Sequence, residues 1–456
     1  MPSVGSSRSG ARAARVATRG VARRLGPAAV LAAAVTASAM CTHGDIAVIE
    51  PPAKPPPSAL TLTILPGDPE TAAQLGWQAG IPGAQVILAP SVKPRAWGGG
   101  DTATGPPIDT LVTDSAGHVS VPALPAGWYY VEVRRWLAPA EAARLSPGAD
   151  LIGFMTQQVV ERGDVTLSVP GSHRRSIVIS EASNFPLWDP VTGGNYTLGG
   201  YLELANNSDT TVYLDGLVIG LMLAATENSQ GTNCATMAPF DNDPLGVWVW
   251  YMDSLPGTGH DYPLAPGAVA VLATDAIDHR PISPLQGLDL SHANFDMWGN
   301  ADAKPPGIPE SIPISTNGVW DEGHGMIFSF GLASAIVVAL PVDTTALPKV
   351  QAYQTEHGWV QRIPRDHILD LLWAFWPHLV TVYNNLCPIQ VSSALDRQPA
   401  PLWWTELPDG TWQGLGAYSI QRKVAYTRAD GRKILQDTRT TEADFFVGLR
   451  TGFQLP

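Results

Sequence analysis

The sequence predicts an all-β protein in which a small β-sandwich precedes a larger β-sandwich with long loops. Three observations support this: only 15% of the 456 residues are charged, 44 are glycine and 41 are proline, and short β-branched and aromatic runs alternate with turn residues. Glycine and proline break helices and mark turns, and such apolar runs are typical of strands. The length leaves room for two or three domains.

Residues 1–40 are predicted to be a signal peptide. Six arginines lie between Arg8 and Arg24 without an acidic residue, and the apolar run 27–40 is too short for a clear membrane span. Ala37-Ser38-Ala39 offers a cleavage site, and Cys41 stands where a bacterial lipoprotein carries its lipid. Met40 departs from the usual small residue before that cysteine, so the sequence predicts export and leaves lipidation of Cys41 open. The expected location is an outer-membrane or cell-surface lipoprotein, alternatively a periplasmic protein.

Residues 41–58 contain Pro51-Pro52 and Pro55-Pro56-Pro57 and are predicted to form a tether. Proline-rich segments favour the extended polyproline II conformation and act as semi-rigid spacers. A spacer after an anchor would hold the folded part of the protein away from a bilayer.

Residues 59–170 are predicted to form the first sandwich. The candidate strands are 60–65, 84–88, 110–113, 118–121, 129–133, 155–160 and 166–169. The segment from Thr113 to Val133 has an Asp-Ser-Ala-Gly turn and a Leu-Pro-Ala-Gly turn before an aromatic strand. It resembles the carboxypeptidase regulatory-like domains, which have a transthyretin-type fold. That resemblance implies an accessory module without chemistry of its own.

Residues 172–456 are predicted to form the second sandwich. Its opening contains strand candidates 176–180, 201–204 and 212–219, which are expected to be consecutive antiparallel strands. Glu203 should face away from Leu202 and Leu204 because side chains alternate along a strand. Asp209 and Asp215 are expected to bind backbone N–H groups and fix the turns. Further candidates are 268–272, 326–330 and 334–340, while 364–376 fits either a short helix or a buried strand.

The order of motifs in this second region is more specific. Ile179-Ser180-Glu181-Ala182, then 201–209 and 213–220, resemble the opening of lamin-tail-type immunoglobulin-like domains. Together with six later motifs, this order resembles a bacterial lipoprotein family known as domain of unknown function, number 4876. The later motifs are 256–267, 276–279, 288–291, 419–423, 435–438 and 444–445. The resemblance implies an immunoglobulin-like, lamin-tail-like sandwich and implies no reaction.

Metal binding has weak candidates. Asp241, Asn242 and Asp243 concentrate oxygen atoms that suit calcium, although no acid stands at the twelfth position of that loop. An Asx-rich turn without metal is the other interpretation and is favoured. Four histidines between His260 and His324 lack zinc-motif spacing, and Asp278 and His279 are expected to bind backbone inside a loop. We therefore expect no zinc and no organic cofactor.

Aromatic residues are the candidates for ligand binding. Trp248, Trp403, Trp404 and Trp412 stand near polar residues, and exposed rings of this kind stack on sugars and similar ligands. The alternative is that these rings belong to the core, as we expect for Trp250 and Trp373. Two cysteines in the second region, Cys234 and Cys387, are either a disulfide in an oxidising compartment or two separate thiols.

These observations favour an exported binding or structural protein without catalytic activity. A net charge of −13 argues against nucleic acid as a partner. An outer-membrane receptor or a surface glycan is the expected partner, with a lipid anchor in the membrane. The sequence contains no Gly-x-Ser-x-Gly, His-Glu-x-x-His or phosphate-binding loop. The alternative is a hydrolase acting on a surface polymer through loops 223–263 and 275–320.

Overall fold

The computed structural model describes most of the chain from residue 58 to residue 450. The described residues are 58–93, 103–145, 151–173, 175–183, 187–189, 194–196, 198–222, 225–226, 240, 243–284, 287–297, 305–314, 334–351, 359–374, 386–387 and 418–450. These residues are mostly in strands, which confirms the predicted all-β class. In this part of the chain, no helix has both the length and the apolar character needed to span a bilayer.

The first region contains eight described strands and two short helices. They are β1 (Ser58–Pro66), α1 (Pro69–Leu75), β2 (Gln85–Ser91), β3 (Asp109–Val112), β4 (His118–Leu124), β5 (Trp128–Trp136), α2 (Pro139–Ala142), β6 (Leu151–Glu161), β7 (Asp164–Val169) and β8 (Gly171–His173). All seven predicted strands of this region are present, with boundaries that differ by a few residues.

Two sheets pack face to face in this first sandwich. Sheet A has the order β4-β1-β7, and sheet B has the order β3-β2-β5-β6-β8. Leu60, Leu62 and Ile64 of β1 are buried in the core between the sheets, and the threonines between them are only partly buried. This alternation follows from the two-residue period of a strand with one face on a core.

The second region contains the remaining described strands. They are β9 (Ile177–Ser183), β10 (Leu187–Asp189), β11 (Gly194–Tyr196), β12 (Tyr201–Asn206), β13 (Val212–Tyr213), β14 (Val218–Met222), β15 (Ala225–Thr226), β16 (Gly246–Ser254), β17 (Pro263–Leu264), β18 (Val269–Ala273), β19 (Phe295–Asp296), β20 (Ile312–Pro313), β21 (Ser334–Ala339), β22 (Lys349–Gln351), β23 (Trp359–Pro364), β24 (Ile368–Ala374), β25 (Leu386–Cys387), β26 (Tyr418–Arg422), β27 (Val424–Thr427), β28 (Lys433–Leu435) and β29 (Phe445–Leu449). The 3-10 turn Arg365–His367 precedes β24, and helix α3 (Thr441–Asp444) precedes β29.

Two larger sheets form the second sandwich. Sheet C has the order β19-β18-β12-β9-β26-β29, and sheet D has the order β22-β23-β16-β14-β21-β24, with β20 beside β16. Leu202 and Ile420 of sheet C pack against Ile219, Ile336 and Leu372 of sheet D in the main core. Glu203 lies on the opposite face of sheet C from Leu202 and Leu204, as predicted.

One predicted strand is wrong. Residues 212–219 form two strands, because β13 pairs with β17 while β14 belongs to sheet D. Asp215 lies in the turn between them and accepts backbone N–H groups from Gly259, Asp261 and Tyr262 at 2.8–2.9 Å. Gly257 must be glycine there, because its φ is +125° and a Cβ atom would lie 2.2 Å from Asp215 Oδ1. Apolar composition alone did not indicate this break.

Of the two structures predicted for residues 364–376, a short helix or a buried strand, the strand is correct. It is β24, which pairs with β21. The predicted strand 334–340 corresponds to β21, and 268–272 corresponds to β18. The candidate at 326–330, the signal peptide and the Pro-rich residues through Pro57 lie outside the described residues.

Candidate functional site

Five charged side chains meet inside the second sandwich. We call Arg175, Asp370, Arg422, Asp437 and Asp444 the buried ion cluster. Arg422 is on β26 of sheet C and Asp370 is on β24 of sheet D, so the cluster joins the two sheets. The exposed fractions of the side chains are 1% for Arg422 and 4% for Asp370.

Arg422 uses its whole guanidinium group in this cluster. Its Nε donates to Ile179 O at 2.6 Å and its Nη1 donates to Gln436 O at 2.8 Å. Its Nη2 contacts Asp370 Oδ2, and Nη1 lies 3.4 Å from Asp444 Oδ2. One side chain thus binds two backbone carbonyls and two carboxylates, which satisfies the planar donor fork of arginine.

The carboxylates of the cluster are also bound by other donors. Asp370 Oδ2 accepts the Ile179 backbone N–H at 2.6 Å, and Asp444 accepts the Thr438 N–H and hydroxyl at 2.8 Å. Arg175 lies 3.5 Å from Asp370 and 3.4 Å from Asp437. Each contact is internal, so the cluster holds strands together.

Burial dominates the proton affinity of these acids. Loss of solvation raises the pKa of Asp444 to about 7, with Arg422 opposing the rise and Asp437 adding to it. Burial also raises the pKa of Asp370 against the opposing charges of Arg422 and Arg175. A small cavity lies beside the cluster, and the volume open to the centre of a water molecule in it is about 10 Å³. The cavity is lined by Arg175, Asp370, Leu371, Arg439, Thr440, Thr441 and Asp444. That space suits about one water molecule and no organic ligand.

A second polar group lies on the outer face of sheet C. We call Glu181 on β9 and Glu203 on β12 the glutamate pair, because they are direct register partners. Tyr201 donates its hydroxyl to Glu181 Oε1 at 2.8 Å, and Ser419 donates to the same oxygen at 2.5 Å. Ser180 donates to Glu203 Oε1 at 2.6 Å. Two carboxylates with hydroxyl partners thus stand side by side.

The two members of the glutamate pair lie in different surroundings. Burial raises the pKa of Glu203, the bond from Ser180 opposes this, and the charge of Glu181 raises the pKa further. Burial, with the charge of Glu181, raises the pKa of Tyr201 well above its usual value. Glu203 would therefore take up a proton more readily than an ordinary surface glutamate.

Trp248 does not occupy the ligand-binding position predicted for it. It is 7% exposed and packs in a second core on the other side of sheet D, with Phe240 at a ring distance of 5.2 Å. Its Nε1 donates to Asp243 Oδ2 at 2.8 Å, and the Arg362 guanidinium lies 5.5 Å from its ring. Burial removes both ring faces from solvent, so Trp248 is a packing residue. Trp373 is buried as predicted.

Asp243 has the role of a turn residue. It accepts the Leu245 N–H at 2.9 Å in addition to the bonds from Trp248 and from Arg362 at 3.1 Å. Burial pushes the pKa of Asp243 upward, but these three donors outweigh it and the pKa is lowered. Because protein donors already bind the carboxylate, the geometry favours the Asx-turn interpretation over calcium ligation.

His279 binds inside a loop, as predicted. It is fully buried, its Nε2 lies 2.9 Å from Asp275 O, and its Nδ1 lies 3.0 Å from the Tyr196 hydroxyl. Burial lowers its pKa, with the Asp275 carbonyl opposing. Among the described residues, no group of three or more His, Cys, Asp or Glu side chains is arranged to hold a metal.

Several predicted site residues lie outside the described part of the chain. They are Cys41, Cys234, Asp241, Asn242, Trp403, Trp404 and Trp412. Cys387 is in β25, opposite Ala225 of β15. Pairing of Cys387 with Cys234 and lipidation of Cys41 stay predictions.

The buried ion cluster was not predicted as a site, although two signals for it were present. Arg422, Asp437 and Asp444 lie inside motifs that carry the family resemblance, and Asp370 interrupts the apolar run Ile368–Ala374. A charge inside an apolar strand requires a partner, because an unpaired buried charge is costly. The sequence did not indicate which residue that partner is.

The fold is an all-β one with two sandwich regions, and the second region contains the buried ion cluster. Residues 265–450 match the family described as "Protein of unknown function (DUF4876)". This confirms the resemblance indicated by the C-terminal motifs. The family match does not extend to the first sandwich.

Two solved structures share a weak likeness with the chain. A DUF4876 family protein from Bacteroides thetaiotaomicron is 17% identical, with a TM-score of 0.45, over 88% of this chain and 98% of its own. BcpA, the major pilin subunit of Bacillus cereus, is 11% identical, with a TM-score of 0.16, over 69% of this chain and 97% of its own. Both TM-scores lie below 0.5. No curated protein matches the chain.

Proposed function

We propose that this is an exported, lipid-anchored protein whose second sandwich binds a receptor or glycan at the cell surface without catalysing a reaction. One observation carries the proposal: charged residues of the family motifs point into the protein and hold its strands together. Arg422 and Asp444 bind backbone, hydroxyl groups and carboxylates inside the protein. Residues used in this way support a rigid scaffold that presents its loops.

The residues with the strongest binding chemistry are three tryptophans that stand between β25 and β26 in the sequence. Trp403, Trp404 and Trp412 all fall between Cys387 and Tyr418 in the sequence. Indole rings bury large areas against sugar rings and carry one N–H donor for orientation. A surface glycan is therefore the ligand class that these residues favour.

Binding of the mature protein to immobilised surface polysaccharides tests this proposal. We expect Trp403→Ala, Trp404→Ala or Trp412→Ala to weaken binding at least about tenfold, since that corresponds to about 1.4 kcal/mol of lost contact. Trp128→Ala in the first sandwich is the matched control and should bind like the wild type. Undiminished binding by all three tryptophan variants would contradict the proposed role of these residues.

The anchor is tested separately. Cys41→Ser should move the protein from the membrane fraction to the soluble fraction, because several acyl chains together give stable membrane binding. Mass spectrometry of the wild-type N-terminus should find diacylglycerol on Cys41. An unmodified N-terminus at Cys41 in membrane extracts would remove the anchor from the proposal.

A hydrolase acting on a surface polymer is the second candidate, and the glutamate pair is the observation that favours it. Register partners hold their Cβ atoms about 5 Å apart. Glycosidases use two nearby carboxyl groups, one of which has a raised pKa, and burial raises the pKa of Glu203. Release of reducing ends from a polysaccharide, abolished by both Glu181→Gln and Glu203→Gln, would replace the binding proposal with this one.

A further inference from the structure

The connection between the two sandwiches is very short. Strand β8 ends at His173 and β9 begins at Ile177, so residues 174–176 alone join them. Arg175, in the middle of this connection, donates to Leu369 O and lies within 3.5 Å of Asp370 and 3.4 Å of Asp437. The connection is therefore fastened to the buried ion cluster of the second sandwich.

A ring contact joins the sandwiches at a second point. The centroids of Trp136, at the end of β5, and Tyr426, on β27, lie 4.6 Å apart in an edge-to-face arrangement with an interplanar angle of 71°. This is a favourable geometry for two aromatic rings. Trp136 remains 38% exposed, so the contact lies at the surface of the first sandwich.

The hairpin that carries Tyr426 is braced against the second sandwich. Asn207 donates to Leu435 O at 3.0 Å and accepts from Leu435 N at 2.8 Å. Arg432 donates to Ser208 O at 2.5 Å, and Arg428 pairs with Asp209 at 2.7 Å. The turn cluster of residues 206–209 therefore fixes the position of the β27–β28 hairpin.

Trp136 is also held in place. The neighbouring Arg135 donates its Nε to Pro82 O at 2.8 Å and pairs with Glu141 at 2.7 Å. Trp136 itself pairs in register with Gly153 of β6. Both rings of the contact thus stand on elements that have little freedom to move.

We infer that the two sandwiches are locked into one rigid body by the Trp136–Tyr426 contact together with the anchored connection at Arg175. Two separated attachment points leave the sandwiches no relative rotation except about the line that joins the points. The first sandwich then sets a fixed distance and orientation for the second, instead of swinging freely. This inference goes beyond the proposed function, because it holds equally for a binder and for a hydrolase.

Limited trypsin digestion of the full chain tests this inference, with the rate of cleavage at the Arg175–Ser176 bond as the measurement. Proteolysis requires local opening of the chain. Losing an aromatic pair worth about 0.5–1.5 kcal/mol should speed cleavage by about two- to tenfold. We expect this acceleration in Trp136→Ala and in Tyr426→Ala, with the fragments identified by mass. Trp136→Phe retains a ring and should restore most of the protection.

Trp128→Ala is the matched control, because Trp128 starts the same strand that Trp136 ends and lies under Lys93 instead. It should be cleaved at the wild-type rate. Circular dichroism of each variant confirms that both sandwiches remain folded. Folded Trp136→Ala and Tyr426→Ala variants that are cleaved as slowly as the wild type would overturn the inference.

Discussion

The two sandwiches use different means to hold their sheets together. In the first, strand β1 alternates between buried and partly exposed residues, and the core between sheets A and B is apolar. In the second, strand β14 is buried along its whole length, because apolar cores lie on both faces of sheet D. A strand without a solvated face reads as a continuous apolar run, and a charge within such a sheet must be paired.

The buried ion cluster is the consequence of that difference. A buried ion pair gives little net stability, but removing one partner leaves a buried charge uncompensated. The second sandwich should therefore be much more sensitive to single charge changes than the first. Four predictions test this comparison, beginning with the largest effect.

Arg422→Met should lower the free energy of unfolding of the second sandwich by about 3–5 kcal/mol, because Asp370 and Asp444 lose their common partner. Urea unfolding followed by tryptophan fluorescence measures this change. Arg428→Met is the matched control, since its pair with Asp209 is exposed and worth about 1 kcal/mol or less. Equal losses in the two variants would mean that the cluster does not brace the sheets.

Reduction of the predicted Cys234–Cys387 disulfide should destabilise only the second sandwich. Cys234 and Cys387 both lie in that region, and a disulfide closing a loop of this size contributes about 2–4 kcal/mol. Thiol counting under denaturing, non-reducing conditions should find neither cysteine free. Two free thiols besides Cys41 would show that the cysteines are separate.

The stability of the second sandwich should depend on pH in a way that the raised pKa of Asp444 determines. Its pKa is raised to about 7 in the folded protein, against an ordinary value of 3.8. The folded state then holds more protons than the unfolded state between those values, so stability falls as pH rises through this window. The slope for one group is at most about 1.4 kcal/mol per pH unit.

Asp444→Asn isolates that contribution. Asparagine mimics the neutral carboxyl group, so the wild type should lose stability relative to the variant between pH 5 and pH 7. Comparing the two proteins cancels the opposite contribution of His279, whose lowered pKa makes stability rise with pH. Urea midpoints at several pH values supply the measurement, and a stability difference that grows in favour of the wild type would contradict the assignment.

The smallest predicted effect concerns Asp243. Asp243→Ala removes the carboxylate that accepts hydrogen bonds from Leu245, Trp248 and Arg362. This loss should lower the free energy of unfolding by about 1–3 kcal/mol. Thermal unfolding measures the loss, with Asp343→Ala, an exposed turn aspartate, as the control. Millimolar calcium should leave the wild-type midpoint unchanged, and a clear rise would restore the calcium-site interpretation.

Local pattern was enough for much of the fold. The seven strands of the first sandwich, the pairing of β9 with β12 and the outward position of Glu203 follow from alternation and turn residues, which act over a few positions. The motifs from 265 onward were likewise sufficient to identify the family.

Tertiary structure alone decided the contacts between distant segments. Arg422 meets Asp370 across 52 positions of sequence, and Trp136 meets Tyr426 across the two sandwiches. The break at Asp215 also depended on a distant turn, whose N–H groups the carboxylate accepts. The sequence left Trp248 either as a ligand-binding ring or as a core residue, and packing on the second face of sheet D buries it. Sequence determines which residues need partners, but the partner itself depends on how strands far apart in the chain are brought together.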